Sequence, residues 1–121
     1  MISKGIIWAG LAVQDLPAAV LFYRDILGLL LKRQGEGWAH FEAGGGALFE
    51  LYSGGQASDT PKDNHHQALV IGFLVDDLTA SVADLQRRGV KFLAEIDGYR
   101  NQRWITFCDP EGNRLELKEI R

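Results

Sequence analysis

Two stretches of the chain switch from a period of two to a period of three to four in the same order. In "IIWAGLAV", Ile7, Ala9, Leu11 and Val13 fall on one side of an extended strand, and Trp8, Gly10 and Ala12 fall on the other. The spacing then becomes helical, with Val20, Phe22, Tyr23, Ile26 and Leu27 forming an apolar stripe between Asp15 and Gly28. Asp15 suits an N-cap, Pro17 a first turn and Gly28 a left-handed C-terminal cap. The plan returns at residue 69, where Leu69, Ile71, Phe73 and Val75 alternate with Val70, Gly72 and Leu74. Asp77 opens a second helix with Leu78, Val82 and Leu85 inward, and Gly89 closes it. In each copy the set that includes Ile7 or Leu69 is expected to pack beneath the helix.

Three strand candidates follow each helix: residues 30–34, 38–42 and 48–52, then 90–96, 103–107 and 114–120. The repeat is therefore β-α-β-β-β, twice. It predicts an α+β fold in a single domain over residues 1–121, made of a module at 6–52, a polar linker at 53–67 and a module at 68–119. Glycines 44–46 and the "DPEGN" at 109–113 mark hairpin turns. The first turn sets Glu50 opposite His40, Tyr52 opposite Trp38 and Leu48 opposite Glu42, and the second sets Glu116 opposite Thr106 and Lys118 opposite Trp104. Phe49, Leu51, Ile105, Phe107, Leu115 and Leu117 then face the helices. The other face is chemically mixed, carrying Trp8, Trp38, His40, Glu50, Tyr52, Trp104, Thr106 and Glu116. Two mixed sheets curled toward each other enclose a cleft, which is the candidate site.

Composition narrows the partners. With 46% hydrophobic and 24% charged residues, the chain reads as an ordinary globular protein. It has no apolar run of membrane length and no leader-like start, so a cytoplasmic location without membrane contact is expected. A lone Cys108 excludes an internal disulfide and any zinc site built on several thiolates. A net charge of −3 without a sizeable basic cluster argues against a nucleic-acid partner and leaves a small molecule. Open sheet edges call for a second copy, hence a homodimer.

The motifs "VQDLPAAVLFYRDILGL", "VDDLTASVADLQRRGV" and "FCDPEGNRLEL" resemble the vicinal oxygen chelate superfamily, which includes glyoxalase I, extradiol dioxygenases and the fosfomycin- and bleomycin-resistance proteins. The resemblance spans residues 6–119. It implies the glyoxalase/bleomycin-resistance fold and a divalent metal held by two histidines or glutamines from the opening strands and two glutamates from the closing strands. The glutamate positions fall on Glu50 and Glu116, and the other two fall on Trp8 and Val70, neither of which binds metal.

Two functions follow, and the sequence leaves catalysis open between them. In the first, the protein binds a planar aromatic ligand without metal or other cofactor, as bleomycin-resistance proteins sequester a drug. Trp8, Trp38, Tyr52 and Trp104 would stack, with His40, Thr106, Glu50 and Glu116 as polar partners. In the second, it is a metal-dependent lyase, isomerase or dioxygenase of the glyoxalase type. Glu50 and Glu116 would then be the catalytic candidates, His40 would be a further weak ligand, and zinc, nickel, iron or manganese the ion. His40 is otherwise expected to pair with Glu50; His65 and His66 are expected to be solvated, and Cys108 to be a small buried residue.

Overall fold

The computed structural model describes residues 1–121, which divide into two compact units, Met1–Ala57 and Ser58–Arg121. In the first, β1 (Trp8–Val13) leads to α1 (Leu16–Leu21), which continues as a π-helical segment over Phe22–Ile26. Strands β2 (Leu31–Gly35), β3 (Trp38–Glu42) and β4 (Leu48–Ser53) follow. The sheet order is β1-β4-β3-β2, with β1 parallel to β4 and the rest antiparallel. In the second unit the elements are β5 (Ile71–Leu74), α2 (Leu78–Arg87), β6 (Lys91–Phe92), β7 (Asp97–Tyr99), β8 (Gln102–Cys108) and β9 (Arg114–Ile120). Its sheet runs β5-β9-β8-β6, with β7 also paired to β8. No helix is long and apolar enough to cross a membrane.

Both helices start as their sequences require. Asp15 accepts from the Ala18 N–H at 3.1 Å and Asp77 from the Ala80 N–H at 3.0 Å, so a carboxylate meets the unpaired donors of each first turn. The π-helical widening closes with the Leu27 N–H on the Phe22 carbonyl, and the Leu29 N–H reaches back to Tyr23 past Gly28 at φ 84°. This seats Tyr23, fully buried, against Phe22, Phe41 and Phe49 with ring centroids 5.2, 6.3 and 5.2 Å away. In the second unit Leu78, Val82 and Leu85 are buried, as are Phe107, Leu115 and Leu117 on the sheet. Burial of these side chains is the main stabilising term in each unit.

The hairpin registers are as the turns predict: His40 lies opposite Glu50, Trp38 opposite Tyr52, Thr106 opposite Glu116 and Trp104 opposite Lys118. Two expectations need correction. Ile7 and Leu69 are 72% and 82% exposed, because the paired strands begin only at Trp8 and Ile71 and burial deepens toward the helix end, where Val13 is fully enclosed. Of the strand expected over 90–96 only Lys91–Phe92 forms, and pairing resumes beyond it at Asp97–Tyr99, since Phe92 pairs with Phe107 and Asp97 with Trp104. Residues 93–96 thus oppose only Ile105 and Thr106, and the excess bulges out of the ladder.

Part of the polar stretch between the modules has a structural task. The Ser58 and Lys62 N–H groups donate to the carbonyls of Glu111 and Gly112, and Lys62 Nζ donates to Asn113 Oδ1 at 2.7 Å. Gly112 sits at φ 82°, where a Cβ would lie 2.5 Å from the Thr60 carbonyl, so this turn accepts no side chain there.

Candidate functional site

In the first unit, strand alternation and the 44–46 turn bring five of the predicted residues onto one face: Trp8 from β1, Trp38 and His40 from β3, Glu50 and Tyr52 from β4. Glu50 is at its centre. Its Oε1 accepts from the Trp8 indole Nε1–H at 3.1 Å and contacts His40 Nε2 at 2.9 Å. A carboxylate oxygen only accepts, so the imidazole carries its proton on Nε2. Oε2 has no protein partner, and the Glu50 side chain is 22% exposed, leaving a directed acceptor open to a ligand.

Glycine makes room for this arrangement. A Cβ on Gly10 would lie 2.3 Å from the Trp8 ring and 3.0 Å from the Tyr52 ring. The indole therefore lies across Gly10, which is the β1 residue beside Glu50 in the parallel register. Trp38 lies in the same way over Gly35, where a Cβ would come within 2.7 Å of its ring, and its ring stands 4.7 Å from that of His40. The result is a half-exposed aromatic surface around one oriented carboxylate.

The second unit repeats the frame with other chemistry. Trp104 and Thr106 on β8 share a face with Glu116 and Lys118 on β9, and Gly72 on β5 lies beside Glu116. Val70, in the place of Trp8, cannot donate to Glu116, and Thr106, in the place of His40, makes no hydrogen bond to it. Lys118 serves instead: its Nζ is 4.0 Å from Glu116 Oε1 and 5.3 Å from the centroid of the Trp104 ring. Its stem crosses Gly72, where a Cβ would meet it at 3.2 Å. Gly10, Gly72 and Lys118 do not stand out as site residues in the sequence; the available signal was the glycine two residues after Trp8 and after Val70 in each opening strand.

The metal that the resemblance implies does not fit the residues present. An indole N–H occupies the side of Glu50 where a first-strand ligand would stand, and Trp8 has no lone pair to offer a cation. Val70 offers no donor either. His40 and Glu50 come together, but no group of three or more His, Cys, Asp or Glu side chains is arranged to hold an ion.

The remaining candidates are accounted for locally. His65 and His66 are exposed, and His66 Nδ1 bonds Asp63 Oδ1 at 2.7 Å. Cys108 is buried, and burial pushes its thiol pKa up, which makes it a poor nucleophile. Glu119, unnoticed in the sequence, is a buried carboxylate with structural partners: it accepts from the Leu78 N–H and from Arg103 and Arg121. Led by the Arg121 hydrogen bond, these hold its pKa at about 2. A surface groove of about 900 Å³ beside α1, lined by Gln14, Leu16, Val20, Arg24 and Glu36 among others, contains none of the predicted site residues.

Comparison with known proteins agrees with this frame. The family model described as Glyoxalase/Bleomycin resistance protein/Dioxygenase superfamily matches residues 5–117. The uncharacterized protein YaeR of Escherichia coli is 32% identical over 113 residues, covering 87% of this chain and 88% of its own. A putative glyoxalase family protein from Bacillus anthracis superposes with a TM-score of 0.78 at 19% identity, over 100% of this chain and 98% of its own. A lactoylglutathione lyase from Agrobacterium tumefaciens does so at 0.73 and 22%, over 98% and 95%; at such identities the likeness is one of fold. With the repeat, the sheets and a glutamate at the same place in each unit already established, the match over nearly the full length makes this chain a member of the glyoxalase/bleomycin resistance protein/dioxygenase superfamily.

Proposed function

We propose that this protein binds a planar aromatic ligand without metal, on the face built from Trp8, Trp38, His40, Glu50 and Tyr52. The observation that carries the reading is the shared Glu50 Oε1, which takes the Trp8 N–H and His40 Nε2 and leaves Oε2 for a donor on the ligand. A ring cation bearing an N–H matches both the charge and the free acceptor. The neighbouring aromatics supply stacking, worth about 0.5–1.5 kcal/mol per pair. A hydrogen bond to the carboxylate is worth about 1.5–3 kcal/mol, so Glu50 should outweigh any single ring.

Titration with 9-aminoacridine, a planar cation with an exocyclic amine, tests this. The expected result is quenching of tryptophan fluorescence, with affinity lowered at least tenfold by Glu50→Gln and less by Trp38→Leu. Absence of quenching across a set of planar cations, or an unchanged affinity in Glu50→Gln, would overturn the reading. The exposed outer edges, with Ile7 beside β1 and Leu69 and Leu74 at β5, support a homodimer in which a second copy covers apolar surface. A sedimentation mass equal to one chain at micromolar concentration would contradict it.

A further inference from the structure

We infer that the Trp104–Glu116 face of the second unit is a cation site that the chain's own Lys118 occupies in the free protein, and that an incoming organic ammonium or ring cation competes with that lysine. The inference concerns the second unit alone and does not depend on the ligand proposed for the first.

The argument begins with what the repeat keeps and what it changes. Both closing strands carry a glutamate on the face away from the helix, and both opening strands place a glycine beside it. In the first unit that glycine is covered by the Trp8 indole, and the glutamate receives an indole N–H and an imidazole. In the second, the glycine is covered by the methylene stem of Lys118, and an ammonium is the only group brought to the glutamate. The environment of that ammonium is what a cationic ligand would need: the face of an indole with its centroid 5.3 Å away, and a carboxylate oxygen at 4.0 Å. Two independent contacts of the chain itself therefore report the chemistry that the face accepts.

The lysine is also held loosely enough to leave. At 4.0 Å the Lys118 to Glu116 contact is too long for a hydrogen bond, and the Lys118 side chain is 38% exposed. Charge and the ring face hold the ammonium, while its three donors lack close acceptors. Its four-carbon stem can swing it into water, where hydration compensates for the lost contacts. A free cation that reaches the ring then replaces like with like, and Lys118 sets the affinity by competing as a tethered group.

The test uses N-methylquinolinium as a planar cation and quinoline at pH 8 as its neutral counterpart, with binding read from the NMR shifts of the Trp104 indole and the Gly72 amide. These signals belong to the second unit, so failure of the ligand proposed for the first leaves the result interpretable. Lys118→Met should bind N-methylquinolinium about fivefold more tightly than the unaltered chain, the scale of one cation–ring contact, with no change for quinoline. Lys32→Met makes the same change in net charge on the first unit's β2 and should give no gain. Adding Trp104→Leu to Lys118→Met should abolish the gain. Equal affinity in Lys118→Met and the unaltered chain, an equal gain in Lys32→Met, or a gain that survives the loss of Trp104, would each overturn the inference.

Discussion

Position for position, the two sheets agree on the side that meets their helices and part on the other. Phe41 and Phe107, Phe49 and Leu115, Leu51 and Leu117 occupy matching places and are all buried. On the opposite faces Glu50 matches Glu116 and Trp38 matches Trp104, but Trp8 stands against Val70, His40 against Thr106 and Tyr52 against Lys118. Packing constrains one side strongly, since an interior at crystal-like density accepts few changes of volume. The other side keeps its carboxylate and exchanges whatever meets it: an indole N–H and an imidazole in the first unit, a lysine ammonium in the second. A half-buried carboxylate requires a partner, but it does not prescribe which one.

The sharpest way to break this comparison is to attack the side said to be equivalent. Phe49→Ala and Leu115→Ala should each destabilise their unit by about 3–4 kcal/mol, from lost transfer energy plus the cavity left behind. Urea unfolding of the full chain measures both. A Leu115→Ala cost below about 1 kcal/mol would mean that the second core is not built like the first.

A smaller effect separates the helix starts. Glu119 reinforces the Asp77 cap of α2 by accepting the Leu78 N–H, whereas α1 has Asp15 at the matching place with Ser53, not a carboxylate, at the site corresponding to Glu119. Because the folded pKa of Glu119 is about 2 against an ordinary 4.5, its stabilisation is complete above pH 4.5 and is lost as pH falls toward 2. Thermal melts between pH 7 and 2 should show that loss in the unaltered chain and a flatter acid limb in Glu119→Gln, which starts from a lower neutral-pH midpoint. Parallel acid limbs would contradict the assignment.

Much of this was legible because it follows from periodicity and turn chemistry. Alternation in β3, β4, β8 and β9 and the glycine and proline turns fixed which residues oppose one another, and the observed pairs of His40 with Glu50 and Trp104 with Lys118 are those expected. The aspartate caps were equally readable. The bulge at 93–96 was not, since an apolar run does not reveal how many residues its partner strand offers. Nor was the role of Lys118: a register places its Cβ, but the direction of a four-carbon stem depends on the gap that Gly72 leaves on a neighbouring strand. Glu119 was missed for a related reason: the hairpin register sets it opposite Arg103, but its bond to the Leu78 N–H, 41 residues away, depends on where α2 begins over the sheet.

The smallest expected effect sharpens the comparison most, because it asks whether one face can be converted into the other. Trp8→Phe removes a single donor to Glu50; with the indole 51% exposed, solvent replaces most of that bond, and the loss should stay below about 1 kcal/mol. Gly10→Ala should do the same by expelling the ring, and both should shift the indole N–H resonance or remove it. The converse substitution, Val70→Trp, should fail by itself to create the equivalent bond, since the Lys118 stem already fills the space over Gly72 that the new indole would need. Combined with Lys118→Ala, which clears that space, the indole of Val70→Trp should reach Glu116 and give an N–H resonance that Glu116→Gln displaces. If the single Val70→Trp change already yields that resonance, the stem of Lys118 does not control access to the carboxylate, and the two faces differ by the opening-strand residue alone.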